Sequence, residues 1–421
     1  GGGEEALFQP AWSPEGRLHF VSDRSGWWNL YRAGDSGPEP ICPMAAEFGL
    51  PHWVFGRSTY GFDGPERIVA AYCVEGVWRL ARLDPGRGSV NNYETPYTAF
   101  ESVQVRPGRA VFIGAGPTVA PEVVALDTAT GGRTVLRRSL SVEPDSAVLS
   151  MPEAVSFPTE AGVTAHGFYY PPRNWDFVGP PGTRPPLLVS SHGGPTAAST
   201  GELNLSIQYW TSRGFAFLDV NYRGSTGYGT RYRRLINGRW GVVDVDDCCN
   251  GARWFENKGL VDGARLAIRG RSAGGFTTLA ALTFRDVFKA GASHFGIGDL
   301  EALMADTHKF ESHYDHSLIA PPEAARERSP VNHADRLGCP VIFFQGLDDK
   351  VVPPNQAEAM AAALEAKGVP VAYVPFTGEG HGFRKAENIK RALEAELYFY
   401  GRIFGFRPAD HIEPVEIRNL E

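Results

Sequence analysis

From its N-terminus the chain alternates apolar and polar residues in short runs broken by turn residues, the period of half-buried strands. Pro10-Ala-Trp-Ser-Pro-Glu-Gly16 reads as a turn, after which Leu18 to Val21 and Trp28 to Ala33 alternate like a hairpin. Trp53-Val-Phe55, Thr59 to Phe62, Ile68 to Cys73 and Val77 to Leu83 continue the pattern. Val105 to Gly114 folds back about Pro107-Gly108, and Glu122 to Leu126 meets Thr134-Val-Leu136 through Asp127-Thr-Ala-Thr-Gly131. Four-stranded units at roughly 40–50-residue spacing predict propeller blades; a β-sandwich is the alternative for the same strands. At about 40 residues per blade, residues 1–145 supply only about three, fewer than a closed ring requires. The expectation is a partial β-propeller over 1–145 whose N-terminal part is missing, either cut away or present as a separate piece.

The period changes near Ser141 to Met151. Val155 to Phe157 and Val163 to Tyr170 read as a hairpin, followed by a Pro/Gly-rich stretch through Pro186. Apolar runs then alternate with helical ones. Strands are predicted at Leu187 to Ser191, Phe215 to Asn221, Leu266 to Gly270, Ala290 to Ser293, Val341 to Gln345 and Ala372 to Phe376. Helices are predicted at Val245 to Lys258, Ala273 to Phe284, Asn355 to Lys367 and Lys385 to Ile403. Such alternation implies a mostly parallel sheet covered on both faces. The fold class is therefore α/β: an α/β-hydrolase domain over 146–421 behind the β-domain.

Composition narrows the partners. A net charge of -7 argues against nucleic acid or an anionic membrane, and no apolar run approaches a membrane span. The five cysteines form no CxxC or Cys/His cluster, so the sequence implies free thiols in a reducing compartment and neither metal nor other cofactor. A homo-oligomer is compatible with all of this.

The chemistry centres on Gly270-Arg271-Ser272-Ala273-Gly274, a Gly-x-Ser-x-Gly between a strand and a helix. That is the context of a nucleophile elbow. In such a fold the triad runs serine, acid, histidine, each after a strand. Of eleven histidines, only His381 and His411 follow any suitable acid downstream of Ser272. His381, in the loop Gly378-Glu-Gly-His-Gly-Phe383, is the expected base; His411 lies in the terminal tail. Gly346-Leu-Asp-Asp-Lys-Val-Val-Pro353 offers Asp348 and Asp349. Asp348 is favoured, while Asp349 stays open, its other reading being a loop-capping carboxylate. The Ala273 amide and the Gly194 amide of Ser191-His-Gly-Gly-Pro195 are the expected oxyanion donors, with Gly193 competing. His192 reads as structural.

These motifs resemble a known family. His192-Gly-Gly-Pro, Asn221-Tyr-Arg-Gly-Ser-Thr-Gly-Tyr-Gly229, Trp240-Gly with Asp246-Asp247, the serine motif, Asp348-Asp-Lys-Val-Val-Pro and Glu379-Gly-His-Gly-Phe look like the prolyl oligopeptidase family (S9) of serine peptidases. Thr307-His-Lys-Phe-Glu311 and Arg328-Ser-Pro330 look most like its acylaminoacyl-peptidase and bacterial aminopeptidase branch. Trp-Ser-Pro-Glu-Gly followed by Phe-Val-Ser-Asp-Arg resembles the blade signature of Trp-Ser-Pro-Asp-Gly propellers. The resemblance implies Asp348 as the triad acid and a propeller that caps the site and admits short peptides. It also implies two departures. His192 stands where prolyl oligopeptidases put a tyrosine hydroxyl, leaving two backbone amides for the oxyanion. Lys350 stands where they put an arginine that reads a substrate carbonyl.

The expected activity is that of a serine peptidase cleaving short peptides or aminoacyl amides near the N-terminus by acyl transfer. Acylaminoacyl peptidase, small-peptide endopeptidase and carboxylesterase are the alternatives. A propeller interaction module carrying a hydrolase relic is the non-enzyme reading, which an intact triad opposes. Phe295 and Ile297 are candidate walls of the first side-chain pocket, with core packing as their other reading. Glu47, in Ala45-Ala-Glu-Phe-Gly-Leu-Pro-His-Trp53, is the candidate for a substrate ammonium, because an acid beside aromatics suits a cation. Phe310 and Glu311 are secondary candidates.

Overall fold

The computed structural model describes residues 4–142, 144–306, 309 and 313–420. The chain divides into two compact units. The first comprises 1–154 with two later returns, 198–205 and 225–234; the second comprises 155–197, 206–224 and 235–421.

The first unit holds three four-stranded antiparallel meanders. They are β1 (Leu7–Trp12), β2 (Leu18–Ser22), β3 (Asn29–Gly34) and β4 (Gly37–Pro40); β5 (Tyr60–Phe62), β6 (Ile68–Val74), β7 (Val77–Asp84) and β8 (Ser89–Asn92); and β9 (Ala99–Arg106), β10 (Arg109–Gly116), β11 (Val119–Asp127) and β12 (Arg133–Arg138). The blade-like stacking follows from strand alternation. On β6, Ile68, Ala70 and Tyr72 pack with Phe8, Val21 and Leu30 of the first sheet. Val69, Ala71 and Cys73 turn the other way, onto Phe100, Phe112 and Val124 of the third. A strand buried on both faces is apolar throughout, and β6 is. Trp53-Val-Phe55 departs from the sequence expectation: it is a turn, not a strand. It lies between Pro51 and Gly56, whose φ is 75°, and the Val54 amide reaches back to the Pro51 carbonyl.

The second unit is built on an eight-stranded sheet of order β13-β14-β16-β15-β17-β18-β19-β20. Its strands are β13 (Glu153–Pro158), β14 (Thr164–Tyr170), β15 (Leu187–Ser191), β16 (Ala216–Asn221), β17 (Leu266–Arg271), β18 (Ala290–His294), β19 (Val341–Gly346) and β20 (Val371–Phe376). From β15 onward every pairing is parallel, while β14 meets β16 antiparallel. The helices in chain order are α1 (Leu205–Thr211), α2 (Gly229–Arg234), α3 (Val243–Asn257), α4 (Ala273–Phe284), α5 (Leu300–Asp306), α6 (Tyr314–Leu318), α7 (Ala324–Arg328), α8 (Asn355–Ala366) and α9 (Ala386–Phe404). Of these, α2 falls in the first unit.

Strands β18 and β19 are buried residue for residue. Burying side chains such as Phe343 and Phe344 contributes about 1.5–3 kcal/mol each. One buried ion pair ties the loop after β16 to α3. The Arg223 guanidinium lies 2.8 Å from Asp247, whose carboxylate also accepts from the Arg223 amide and the Thr159 hydroxyl. Chain order reverses where β15 lies between β16 and β17, so the loops after β15 and β17 leave the sheet side by side. In open α/β sheets that crevice is where ligands bind.

Candidate active site

β17 ends one residue before Ser272, and α4 begins one residue after it. The turn between them is tight: Ser272 has φ 55° and ψ -120°, a conformation that costs about 1–3 kcal/mol in a non-glycine residue. The flanking glycines make it feasible by close approach. A Cβ on Gly270 would sit 2.1 Å from the Gly274 carbonyl oxygen, and one on Gly274 would sit 2.1 Å from that of Ser191. The elbow is therefore wedged against the end of β15, and the serine is half-buried.

His381 bridges the serine and an acid. Its Nε2 lies 2.9 Å from Ser272 Oγ, and its Nδ1 lies 2.8 Å from Asp349 Oδ2. A buried carboxylate accepts, so Nδ1 carries the hydrogen and Nε2 is left to accept from the serine hydroxyl. The carboxylate brought to His381 is that of Asp349, not of the expected Asp348. The peptide turns after β19 so that Asp348 faces solvent, its amide bonded to the Glu379 carbonyl at 2.9 Å. Asp349 is 4% exposed, and its Oδ1 accepts from the Val351 and Val352 amides at 2.8 and 2.9 Å. The two sequence readings of Asp349 were thus not exclusive, because one oxygen caps the loop while the other meets the histidine.

The histidine loop has its own anchor, one the sequence did not single out. The buried Glu379 carboxylate accepts from the Arg384 and Lys385 amides, at 3.0 Å each, and from Asn388 Nδ2 at 2.8 Å. The Asn388 side chain and those amides hold its carboxyl below the ordinary glutamate range. A carboxylate at the start of α9 also faces the positive end of the helix dipole.

Of the expected oxyanion donors, Ala273 opens α4, where first-turn amides have no intrahelical acceptor. The His192-Gly193-Gly194 loop abuts the elbow: a Cβ on Gly193 would lie 3.0 Å from the Arg271 carbonyl oxygen and 3.5 Å from Ser272 Cβ. Gly194 takes φ 51°, and its carbonyl accepts from the Ala197 amide. His192 stacks on Tyr222 with ring centroids 4.2 Å apart, and burial pushes its imidazole down to about 4. A neutral, stacked ring fits the structural reading.

The substrate candidates separate. Phe295 meets His381 edge-on at 5.0 Å and so backs the imidazole. Ile297 is packed into the main core. Lys350 is exposed on the acid loop. Glu47 corrects the expectation outright. It is 1% exposed within the first unit, its Oε2 accepts from the Trp28 amide and its Oε1 from the Gly229 amide, and Arg233 lies 3.8 Å away. The same Arg233 sits 3.8 Å over the Trp28 ring and pairs with Asp23 at 2.7 Å. The acid-beside-aromatic pattern is real, but a side chain of the protein already supplies the cation. Phe310 and Glu311 lie outside the described residues, as does most of the Thr307–Glu311 motif. Among the described residues no cluster of three or more His, Cys, Asp or Glu could hold a metal ion. Nor is any described helix long and apolar enough to cross a membrane.

Comparison with known proteins bears on this geometry. Residues 202–407 match the model of the prolyl oligopeptidase family. The chain is 34% identical over 232 residues to dipeptidyl aminopeptidase BIII of Pseudoxanthomonas mexicana, covering 53% of this chain and 34% of that protein. It is 29% identical over 208 residues to an acylamino-acid-releasing enzyme of Arabidopsis thaliana, covering 47% of this chain and 27% of that one. The solved structure of a puromycin-hydrolyzing peptidase of Mycobacterium tuberculosis superposes with a TM-score of 0.95 at 44% identity. That alignment covers 99% of this chain and 64% of the mycobacterial one. The chain thus spans about a third of the length of these curated relatives.

Proposed function

We propose that the chain, which matches the prolyl oligopeptidase family over residues 202–407, is a member of it and the catalytic part of a serine peptidase. The enzyme releases residues from the N-terminal end of short peptides and aminoacyl amides. The observation that carries this reading is the continuous relay from Ser272 Oγ through His381 to Asp349, at 2.9 and 2.8 Å. His381 takes the Ser272 proton as Oγ attacks the scissile carbonyl. The Ala273 and Gly194 amides hold the oxyanion, and His381 then protonates the leaving amine. Asp349 holds the tautomer and stabilises the imidazolium without taking the proton. Water repeats the cycle on the acyl-enzyme.

Aminoacyl amides are favoured over long peptides because the chain is similar, over nearly its whole length, to a puromycin-hydrolyzing peptidase. Puromycin itself is an aminoacyl amide and is the first compound to try. An acylaminoacyl peptidase is the second reading, supported by the likeness to the plant enzyme and by the absence of a free carboxylate at Glu47. Three blade-like sheets, fewer than a ring needs, support a propeller completed by a segment outside this sequence. Five unpaired cysteines, four of them buried, support a reducing, cytoplasmic setting.

The test uses the complete protein and three chromogenic anilides sharing one side chain: free aminoacyl, free dipeptidyl and N-acetyl-aminoacyl. Turnover of a free-amine compound, abolished by Ser272→Ala, is expected. Preference for the acetylated compound would establish the acylaminoacyl reading instead. Turnover surviving in Ser272→Ala would sink both.

A further inference from the structure

Strand alternation sends Arg269 and Arg271 to the same face of β17, toward α9. The two arginines meet different stretches of that helix. Arg269 faces Glu396, with Nε and Nη2 each 3.0 Å from the carboxylate, which also takes His294 Nε2 at 3.0 Å and the Tyr400 hydroxyl at 3.2 Å. Along the same stripe of α9, one turn and two turns nearer its start, stand Leu393, Ala392 and Ile389. Arg271, one pleat step further along β17 and itself exposed to solvent, borders this apolar part. Among the described residues it has no hydrogen-bond or ion-pair partner. Glu396, already occupied, and Asp219, two strands away on β16, are the carboxylates that act on its charge.

Between them is a cavity of about 170 Å³, lined by Arg269, Arg271, His294, Phe295, Gly382, Phe383 and the three apolar residues of α9. Neither Ser272 nor His381 lines it, nor does the oxyanion loop. It lies behind the histidine loop, and its aromatic wall touches the relay: Phe295 meets both His381, at 5.0 Å, and Phe383, at 5.4 Å.

We propose that this cavity is a second ligand site, taking a small monocarboxylate with a compact apolar body. The carboxylate pairs with Arg271, supplying the charge that α9 supplies to Arg269 but not here, and the body rests on Leu393, Ile389 and Phe383. Because the occupant presses on the Phe295–Phe383 pair behind the imidazole, its binding lowers turnover without competing for the acyl-transfer cleft.

Calorimetric titration of the Ser272→Ala protein with hexanoate and with hexanamide tests the site apart from any activity. Hexanoate is expected to bind one to one and hexanamide not at all. Arg271→Gln should weaken hexanoate at least about tenfold, the loss of one charge-assisted pair. Leu393→Trp, which fills the cavity and leaves the arginine, should do the same while melting as a folded protein. Wild-type enzyme blocked at Ser272 with a fluorophosphonate should bind hexanoate as before. In unblocked enzyme hexanoate should lower kcat, and the effect should vanish in Leu393→Trp. No binding, equal binding of the amide, unchanged affinity in both variants, or loss of binding on blocking Ser272 would each overturn the proposal. An unchanged kcat at saturating hexanoate would overturn its coupling to the relay.

Discussion

Asp349 Oδ2 lies 2.8 Å from His381 Nδ1, while the neighbouring Asp348 carboxyl faces solvent. Two adjacent, identical side chains therefore have opposite consequences. Asp349→Asn frees the imidazole to adopt the wrong tautomer and should lower kcat by about three to four orders of magnitude. Asp348→Asn should leave kcat within a few-fold of wild type. Steady-state kinetics on one anilide decides between them, and the reverse ranking would restore Asp348 as the acid.

The fit of the elbow is a matter of stability as well as chemistry. In Gly274→Ala the new methyl would stand 2.1 Å from the Ser191 carbonyl oxygen, against backbone that cannot rotate away. A loss of about 2 kcal/mol or more is expected, read as a lower urea midpoint, with activity falling as β15 and the elbow part. An unchanged midpoint would show that the approach is looser than described.

His294 makes stability depend on pH. Burial pushes its folded pKa down to about 4, from an ordinary value of 6.5. Between these values the unfolded chain binds a proton that the folded one refuses, so stability rises with pH by up to about 1.4 kcal/mol per unit and levels off above 6.5. Urea midpoints measured across this window should fall less steeply toward acid in His294→Gln than in wild type. His192, shifted in the same direction by burial, contributes equally to both proteins. Parallel curves would contradict the assignment.

Glu47 is a structural acid in this account. Glu47→Gln replaces one acceptor oxygen with a donor facing the Trp28 or Gly229 amide. About 1–3 kcal/mol of stability should be lost with one buried donor unpaired. The ratio of kcat/KM for free-amine and acetylated anilides should stay within about twofold, the noise expected of a residue remote from recognition. A selective loss on free-amine substrates would return Glu47 to the ammonium role.

Much of this was legible in the residues. The β17–α4 junction, the strands from β15 to β20 and the four long helices lie within two residues of their sequence-based bounds, because each carries an uninterrupted period. Ser272 and His381 followed from the order of the fold. What stayed hidden depends on three-dimensional closure. Which of two aspartates turns inward is fixed by a loop whose amides at Val351 and Val352 point to one carboxylate, and no periodicity records that. The returns of 198–205 and 225–234 to the first unit are contacts between distant segments. Glu47 was found beside aromatics as expected. Its partner Arg233, 186 positions downstream of it, was not visible to a local reading.

The central claim is that Ser272 attacks as a nucleophile activated by His381 and Asp349. Intact-protein mass after reaction with a fluorophosphonate, followed by peptide mapping, tests it most directly. One adduct per chain is expected, on the peptide carrying Ser272, forming far more slowly in Asp349→Asn and absent in Ser272→Ala. An adduct on another residue, or labelling of Asp349→Asn at the wild-type rate, would contradict it.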